Sequence, residues 1–229
     1  MGLKVLSIVG CSLVGLAAAD ESWVNKLGVG AQAGTTGFGG MLTYDVTDWV
    51  YFKAEFNTLT YTESDLEIDG TTYDGELDFM NAGLSVNVRP LHMLPIVDGL
   101  KVVAGVYKVN NTVHIEASRE GDMVEIAGTP YMLDADDRII GDAEFDSIAP
   151  YLGLGWDWSF GMDDTFTFSL EAGALITGAP DVEFSVSGNE VGGSVITSEQ
   201  IAAETAEFED EVDQISVLPV VKVGALLRF

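Results

Sequence analysis

The stretch Val220–Phe229, VVKVGALLRF, decides the fold. Counting back from Phe229, every second residue is apolar: Leu227, Ala225, Val223 and Val221. Between them stand Arg228, Leu226, Gly224 and Lys222. A period of two belongs to a β-strand, whose successive side chains point to opposite faces. One face of this strand is therefore greasy, and Phe229 lies on it. What that face touches is settled by the rest of the chain.

The same alternation recurs upstream. VYFKAEFN places Val50, Phe52, Ala54 and Phe56 opposite Tyr51, Lys53, Glu55 and Asn57. MNAGLSVNV, IAPYLGLGW and FTFSLEAGALI divide in the same way, and LGVGAQAG, GGMLTY and GLKVVAGVY complete eight strands. One face is apolar in strand after strand. The other is rich in glycine and carries Lys53, Glu55, Glu171, Lys222 and Arg228. A soluble sandwich would bury the apolar face and wet the polar one, where so many glycines would weaken it. A small barrel in lipid inverts the arrangement: the apolar face meets lipid, and small or paired polar groups fill a narrow interior. In lipid the sheet must also close, because an open edge would strand backbone polar groups.

Connection lengths support this. Residues 46–48, 91–98 and 160–164 make short connections, and 58–76, 110–145 and 179–214 make long ones, with the tight GTTG turn at 34–37 as the exception on the long-loop side. Short turns at one end and long loops at the other are the habit of outer-membrane barrels. The reading is an all-β, eight-stranded antiparallel transmembrane β-barrel with long acidic extracellular loops and one short loop helix. An even strand number puts both termini in the periplasm of a Gram-negative bacterium. Trp23, Trp49, Trp156 and Trp158 lie near strand ends, where an aromatic girdle is expected.

The first nineteen residues read as a signal peptide. Lys4 supplies the positive region, VLSIVGCSLVGL the apolar one, and Ala17 and Ala19 the small residues before Asp20. The barrel domain is then 20–229, and the single cysteine, Cys11, leaves with the signal. An exported chain without cysteine relies on no disulfide.

The chain carries 37 acidic and 10 basic residues, a formal net charge of −27. That argues against nucleic acid as a partner. The three long loops hold six, nine and ten acidic residues, twenty-five of the 37. EIDGTTY (67–73) and EIAGTPY (125–131) both read as tips of β-ribbons standing above the membrane. TSEQIAAETAEFEDEVDQI changes to helical spacing, with Ile201, Phe208, Val212 and Ile215 in one stripe and Thr197 and Gln200 fitting a capping box. The stripe is expected to pack on the barrel rim.

Several segments carry a resemblance. GTTGFGGMLTYDVTDWVYFKAEFN, EIDGTTYDGEL, IAPYLGLGW, EAGALITGAPDVEF and LPVVKVGALLRF resemble stretches of the CarO family of small proteobacterial outer-membrane barrels, named for an association with carbapenem susceptibility. The resemblance runs over about residues 28–229. It implies an eight-stranded barrel, and a porin-like channel for basic amino acids such as ornithine. The family has no agreed site motif; Glu171 in EAG and Lys222 in KVG match charged inward positions of its members. A C-terminal aromatic after alternating apolar residues resembles the signal read by the outer-membrane assembly machinery, here Val221, Val223, Ala225, Leu227 and Phe229.

No enzyme constellation, metal site or cofactor motif emerges. His92 and His114 have no metal-binding spacing, DADDR (134–138) lacks the pattern of an EF-hand loop, and GTTGFGG lacks the strand-to-helix setting of a phosphate loop. Two function classes remain. The first is a narrow porin-like channel whose acidic mouth attracts small cationic solutes. The second is a non-conducting structural or adhesive barrel whose interior is plugged by side chains. Lipid, lipopolysaccharide and the assembly machinery are the expected partners. Inside the barrel, Glu171 and Lys222 share the inward parity on consecutive strands, which predicts an ion pair, with Lys53, Glu55 and Arg228 as further members.

Overall fold

A computed structural model describes residues 26–68, 71–94, 97–118, 120–161, 165–187, 190–212 and 216–229. The expected signal peptide (1–19), Trp23 and Ile215 lie outside them. In chain order the first strands are β1 (Leu27–Gly34), β2 (Gly37–Thr47), β3 (Val50–Ile68), β4 (Thr71–Val88) and β5 (Leu100–Ala117). A hairpin of β6 (Met123–Ile126) and β7 (Thr129–Met132) follows, then β8 (Ile139–Phe160) and β9 (Phe166–Ile176). After them come β10 (Asp181–Val186), the two-residue strands β11 (Glu190–Val191) and β12 (Ser194–Val195), a helix α1 (Ser198–Val212) and β13 (Val217–Arg228).

Eight of these close into an antiparallel barrel, in the order β1, β2, β3, β4, β5, β8, β9, β13 and back to β1. Closure follows from the alternation. Phe38, Leu42, Phe52, Phe56, Leu84, Val106, Ile148, Leu152, Leu154 and Leu227 all point outward and are exposed, so a lipid-facing belt surrounds the sheet and every backbone edge at that level needs a neighbour. Strand ends carry the aromatics: Trp158 packs on Phe168, and Phe160 on Phe166. On the short-turn side Trp49 stacks on His92. Among the described residues no helix is long and apolar enough to cross a membrane.

About 9–11 residues of tilted strand cross a bilayer. β1, β2, β9 and β13 have 8, 11, 11 and 12 residues, whereas β3, β4, β5 and β8 have 19, 18, 18 and 22. One wall of the barrel therefore continues well past the belt. The expected loop 58–76 is strand over most of its length, pairing from Thr58↔Met80 to Ile68↔Thr71 around a bulge between Glu63 and Leu66. Asp65 in that bulge has φ 62°. The second expected ribbon tip is also a hairpin: Ala127 (φ 49°) and Gly128 (φ 74°) occupy the two central positions of a type I′ turn between β6 and β7.

The long segments build a second apolar core beyond the belt. Ala117, Val124, Ile126, Leu133, Ile139, Val186, Val191 and Ile196 are buried in it, with Tyr73, Tyr131, Phe184 and Ile201 packed around. The helix starts as expected: Thr197 Oγ1 accepts from Gln200 N–H (3.3 Å), and Gln200 Oε1 accepts from Thr197 N–H (3.1 Å). Its packing differs from the expectation. Ile201 joins this outer core and α1 lies on β10 and β6, one layer further out than the rim, because β10 pairs with the outer half of β8 and brings an apolar surface with it.

Candidate functional site

The inward positions place a set of buried charges at mid-height. Lys222 on β13 and Glu171 on β9 are register partners, as are Lys222 and Gly34 of β1. Lys222 Nζ lies 2.9 Å from Glu171 Oε1 and 2.7 Å from Glu55 Oε1. Lys53 Nζ lies 2.7 Å from Glu55 Oε2 and 2.8 Å from Glu171 Oε2. Two lysines and two glutamates thus form a closed ring, each carboxylate giving one oxygen to each ammonium. Two of these contacts, Lys53 to Glu171 Oε2 and Lys222 to Glu55 Oε1, are also hydrogen bonds with charge on both partners, among the strongest available to side chains. All four side chains are at most 4% exposed.

Residues that the sequence reading did not single out extend the ring. Lys101 Nζ approaches Glu171 Oε2 (3.4 Å) and Asp157 Oδ1 (3.0 Å), and donates to Ser169 Oγ (2.8 Å) and the Tyr51 hydroxyl (3.1 Å). Tyr51 donates to Asp157 Oδ2 (2.9 Å), which also meets Arg89 at 3.3 Å. Tyr151 donates to Glu171 Oε1 (2.9 Å), and the Tyr107 hydroxyl accepts from Lys222 (3.0 Å). On the long-loop side an amide contact continues the chain, Gln32 to Asn57 (2.8 Å) and Asn57 to Glu55 (3.3 Å). Arg228, expected among the interior charges, is inward too but toward the short-turn end: its guanidinium lies 5.7 Å from the centre of the Tyr51 ring, its Nε is 3.8 Å from Asp45, and it lines the same small cavity as Lys53, Lys101 and Asp157.

These contacts cross the lumen. Counting round the barrel, β3 and β9 are four strands apart in either direction, so Lys53 and Glu171 reach each other from opposite walls. Tyr107, Tyr151, Val103, Val109, Ala149, Leu175 and Val220 pack as an apolar group in the same interior. The inward glycines give these side chains room. A Cβ on Gly83 would overlap the Tyr107 ring, and one on Gly153 would sit 2.6 Å from the Tyr151 hydroxyl. Beside Lys101, Asp157, Thr43 and Met41 a cavity of about 10 Å³ remains, room for about one water.

The other residues considered from the sequence have local roles. His114 Nδ1 lies 2.6 Å from Asp142 on the outer ribbon. Within DADDR, Asp137 accepts from the Asp134 and Gly192 amides at 2.8 and 2.7 Å, and Arg138 pairs with Glu116. Among the described residues no group of three or more His, Cys, Asp and Glu is arranged to hold a metal ion. Val221, Val223, Leu227 and Phe229 are 43–55% exposed on the outer face of β13 and its end.

No protein-family model and no curated protein sequence matches the chain. Solved structures do. The crystal structure of Acinetobacter baumannii CarO2 superposes with a TM-score of 0.67 at 29% identity, over 89% of this chain and 98% of that one. That of Acinetobacter baumannii CarO gives 0.65 at 27% identity, over 93% and 100%.

Proposed function

This chain belongs to the CarO-type family of bacterial outer-membrane β-barrels, and from that premise we propose that it is closed to solutes at rest and serves as a membrane scaffold for its outer β-layer. The observation that supports this reading is the Lys53–Glu171 contact of 2.8 Å between opposite walls. An eight-stranded barrel is just wide enough for side chains to fill, and here ion pairs, tyrosines and glycines fit one another across that width. The outer layer, with its own apolar core, is the part free to meet other surfaces.

In this reading the short turns and both termini face the periplasm, the ribbons and α1 face outward, and lipid and lipopolysaccharide surround the belt. The alternation ending at Phe229 is the segment that the outer-membrane assembly machinery would read.

A second reading, a narrow route for small cationic solutes such as basic amino acids, is favoured by one observation: the interior charges are ammonium groups held on carboxylates, in a chain whose segments 58–76, 110–145 and 179–214 carry twenty-five of its 37 acidic residues. Planar-bilayer recording on the purified barrel separates the two. The closed scaffold gives no stepwise conductance in concentrated KCl. Reproducible cation-selective steps would overturn it in favour of the second reading.

A further inference from the structure

The place that Lys222 fills has the make-up of a ligand site. A primary ammonium has three N–H donors and no acceptor. Lys222 Nζ donates to Glu55 Oε1 (2.7 Å) and to the Tyr107 hydroxyl (3.0 Å), and Glu171 Oε1 lies 2.9 Å away as its ion-pair partner. It also lies 5.1 Å from the centroid of the Tyr107 ring and 4.8 Å from that of Tyr151. Aromatic faces attract a cation within about 6 Å, and cages of them hold ammonium ligands in other proteins. The two rings meet edge to face at 5.1 Å, and Tyr151 is fixed by its own bond to Glu171. β3, β5, β8 and β9 build the walls of the cage, and β13 supplies only the ammonium.

The neighbouring lysines are held differently. Lys53 uses the other oxygens of the same two carboxylates, and among the described residues no aromatic ring faces it. Lys101 meets one ring, Tyr51 at 5.8 Å, and its donors are spread over four residues. The combination of two carboxylates, a hydroxyl and two aromatic faces is found only at Lys222 within the described interior.

We propose that Glu55, Glu171, Tyr107 and Tyr151 form a binding site for a primary alkylammonium group, and that the chain occupies this site with its own Lys222. A free alkylammonium ion of similar length takes the site when the lysine is removed. The inference builds on the closed interior proposed above, since Lys222 is there the tethered occupant of a site at the closure.

Lys222→Ala removes Cγ, Cδ, Cε and Nζ, the heavy atoms of n-propylammonium, which is therefore the probe. Thermal unfolding of the detergent-solubilised full barrel is followed while n-propylammonium chloride is titrated. The Lys222→Ala protein should show a saturable rise in Tm of roughly 5–10 °C at about 100 times Kd. Tetramethylammonium, which offers no N–H donor, and NaCl at equal ionic strength should produce no comparable rise, and wild type should not respond. Lys53→Ala, which vacates a carboxylate position without rings, should respond less. Where Lys222→Ala refolds poorly, refolding yield replaces Tm as the readout, and n-propylammonium should raise it above the NaCl control. Equal responses to n-propylammonium and NaCl, or equal responses of the two variants, would overturn the proposal. Wild-type conductance tests the closed barrel separately, so either idea can fail alone.

Discussion

Replacing Glu171 with glutamine tests whether the interior charges act as one unit. Glu171 is the hub: Lys53, Lys222 and Lys101 approach it at 2.8, 2.9 and 3.4 Å, and Tyr151 donates to it at 2.9 Å. Three ammonium groups, from Lys53, Lys101 and Lys222, face three carboxylates, from Glu55, Glu171 and Asp157. Glutamine keeps the shape but leaves the three ammonium groups and the Arg89 guanidinium on two carboxylates, and it turns an NH₂ donor toward a lysine. The side chain is 2% exposed, so bulk water does little to screen the excess charge. Removing one partner of a buried pair costs about 3–5 kcal/mol, and Glu171→Gln is expected in that range because three cations lose a shared acceptor.

Lys222→Met should cost a similar amount, because Glu55 and Glu171 each lose a contacting ammonium. The double variant removes one charge of each sign and so returns the interior to its original net charge. Its cost should therefore fall short of the sum of the singles by about 2–3 kcal/mol, the upper part of the range for directly contacting residues. Urea-induced unfolding and refolding in lipid vesicles, followed by tryptophan fluorescence, measures all four corners of the cycle. A coupling within about 0.5 kcal/mol of zero, as for distant and independent sites, would refute the cross-lumen unit. So would a Glu171→Gln protein within about 1 kcal/mol of wild type.

Two further outcomes are expected. Deleting Phe229 should reduce the amount of inserted barrel while export continues, because the ring ends the outward alternation of β13; unchanged barrel levels in purified outer membranes would count against this. Ala127→Asn should slow amide exchange across Met123–Met132 by an amount equivalent to about 1 kcal/mol, since alanine at φ 49° bears a left-handed backbone cost that asparagine tolerates; faster exchange in that hairpin would contradict the turn assignment.

Face assignment was legible in the sequence because a period of two survives tilt and twist. The inward Lys53 and Glu55 of β3, Glu171 of β9 and Lys222 of β13 are all read from parity alone. Lys101 and Asp157 have the correct parity too, but their surroundings hide it. In LKVVAGVY apolar residues stand at both parities, so the strand shows no contrast between faces. Asp157 sits between Trp156 and Trp158, where an exposed strand end would accommodate an aspartate equally well. The outer core was not legible. Its members come from several separate elements and the stretches between them, from Ala117 to Ile196, and share no period.

Which inward residues meet across the lumen lies beyond parity as well. Lys222 and Glu171 are neighbours on adjacent strands, so their pairing follows from one register. Lys53 reaches Glu171 only after four registers have accumulated round the barrel, and one residue of slip in any of them would move the charges apart. The glycines carry the corresponding ambiguity. Read alone, an inward glycine face suits either an open bore or a filled one. The distinction lies in what stands opposite: Gly83 is the register partner of Tyr107, and Gly153 and Gly173 both lie against the Tyr151 hydroxyl. A small residue facing a large inward one marks packing, whereas small residues facing small ones would mark a channel. Here the large inward residues also carry the hydroxyls that bind Glu171 and Lys222. The inward glycines that first suggest a narrow pore are therefore the positions against which Tyr107 and Tyr151 pack.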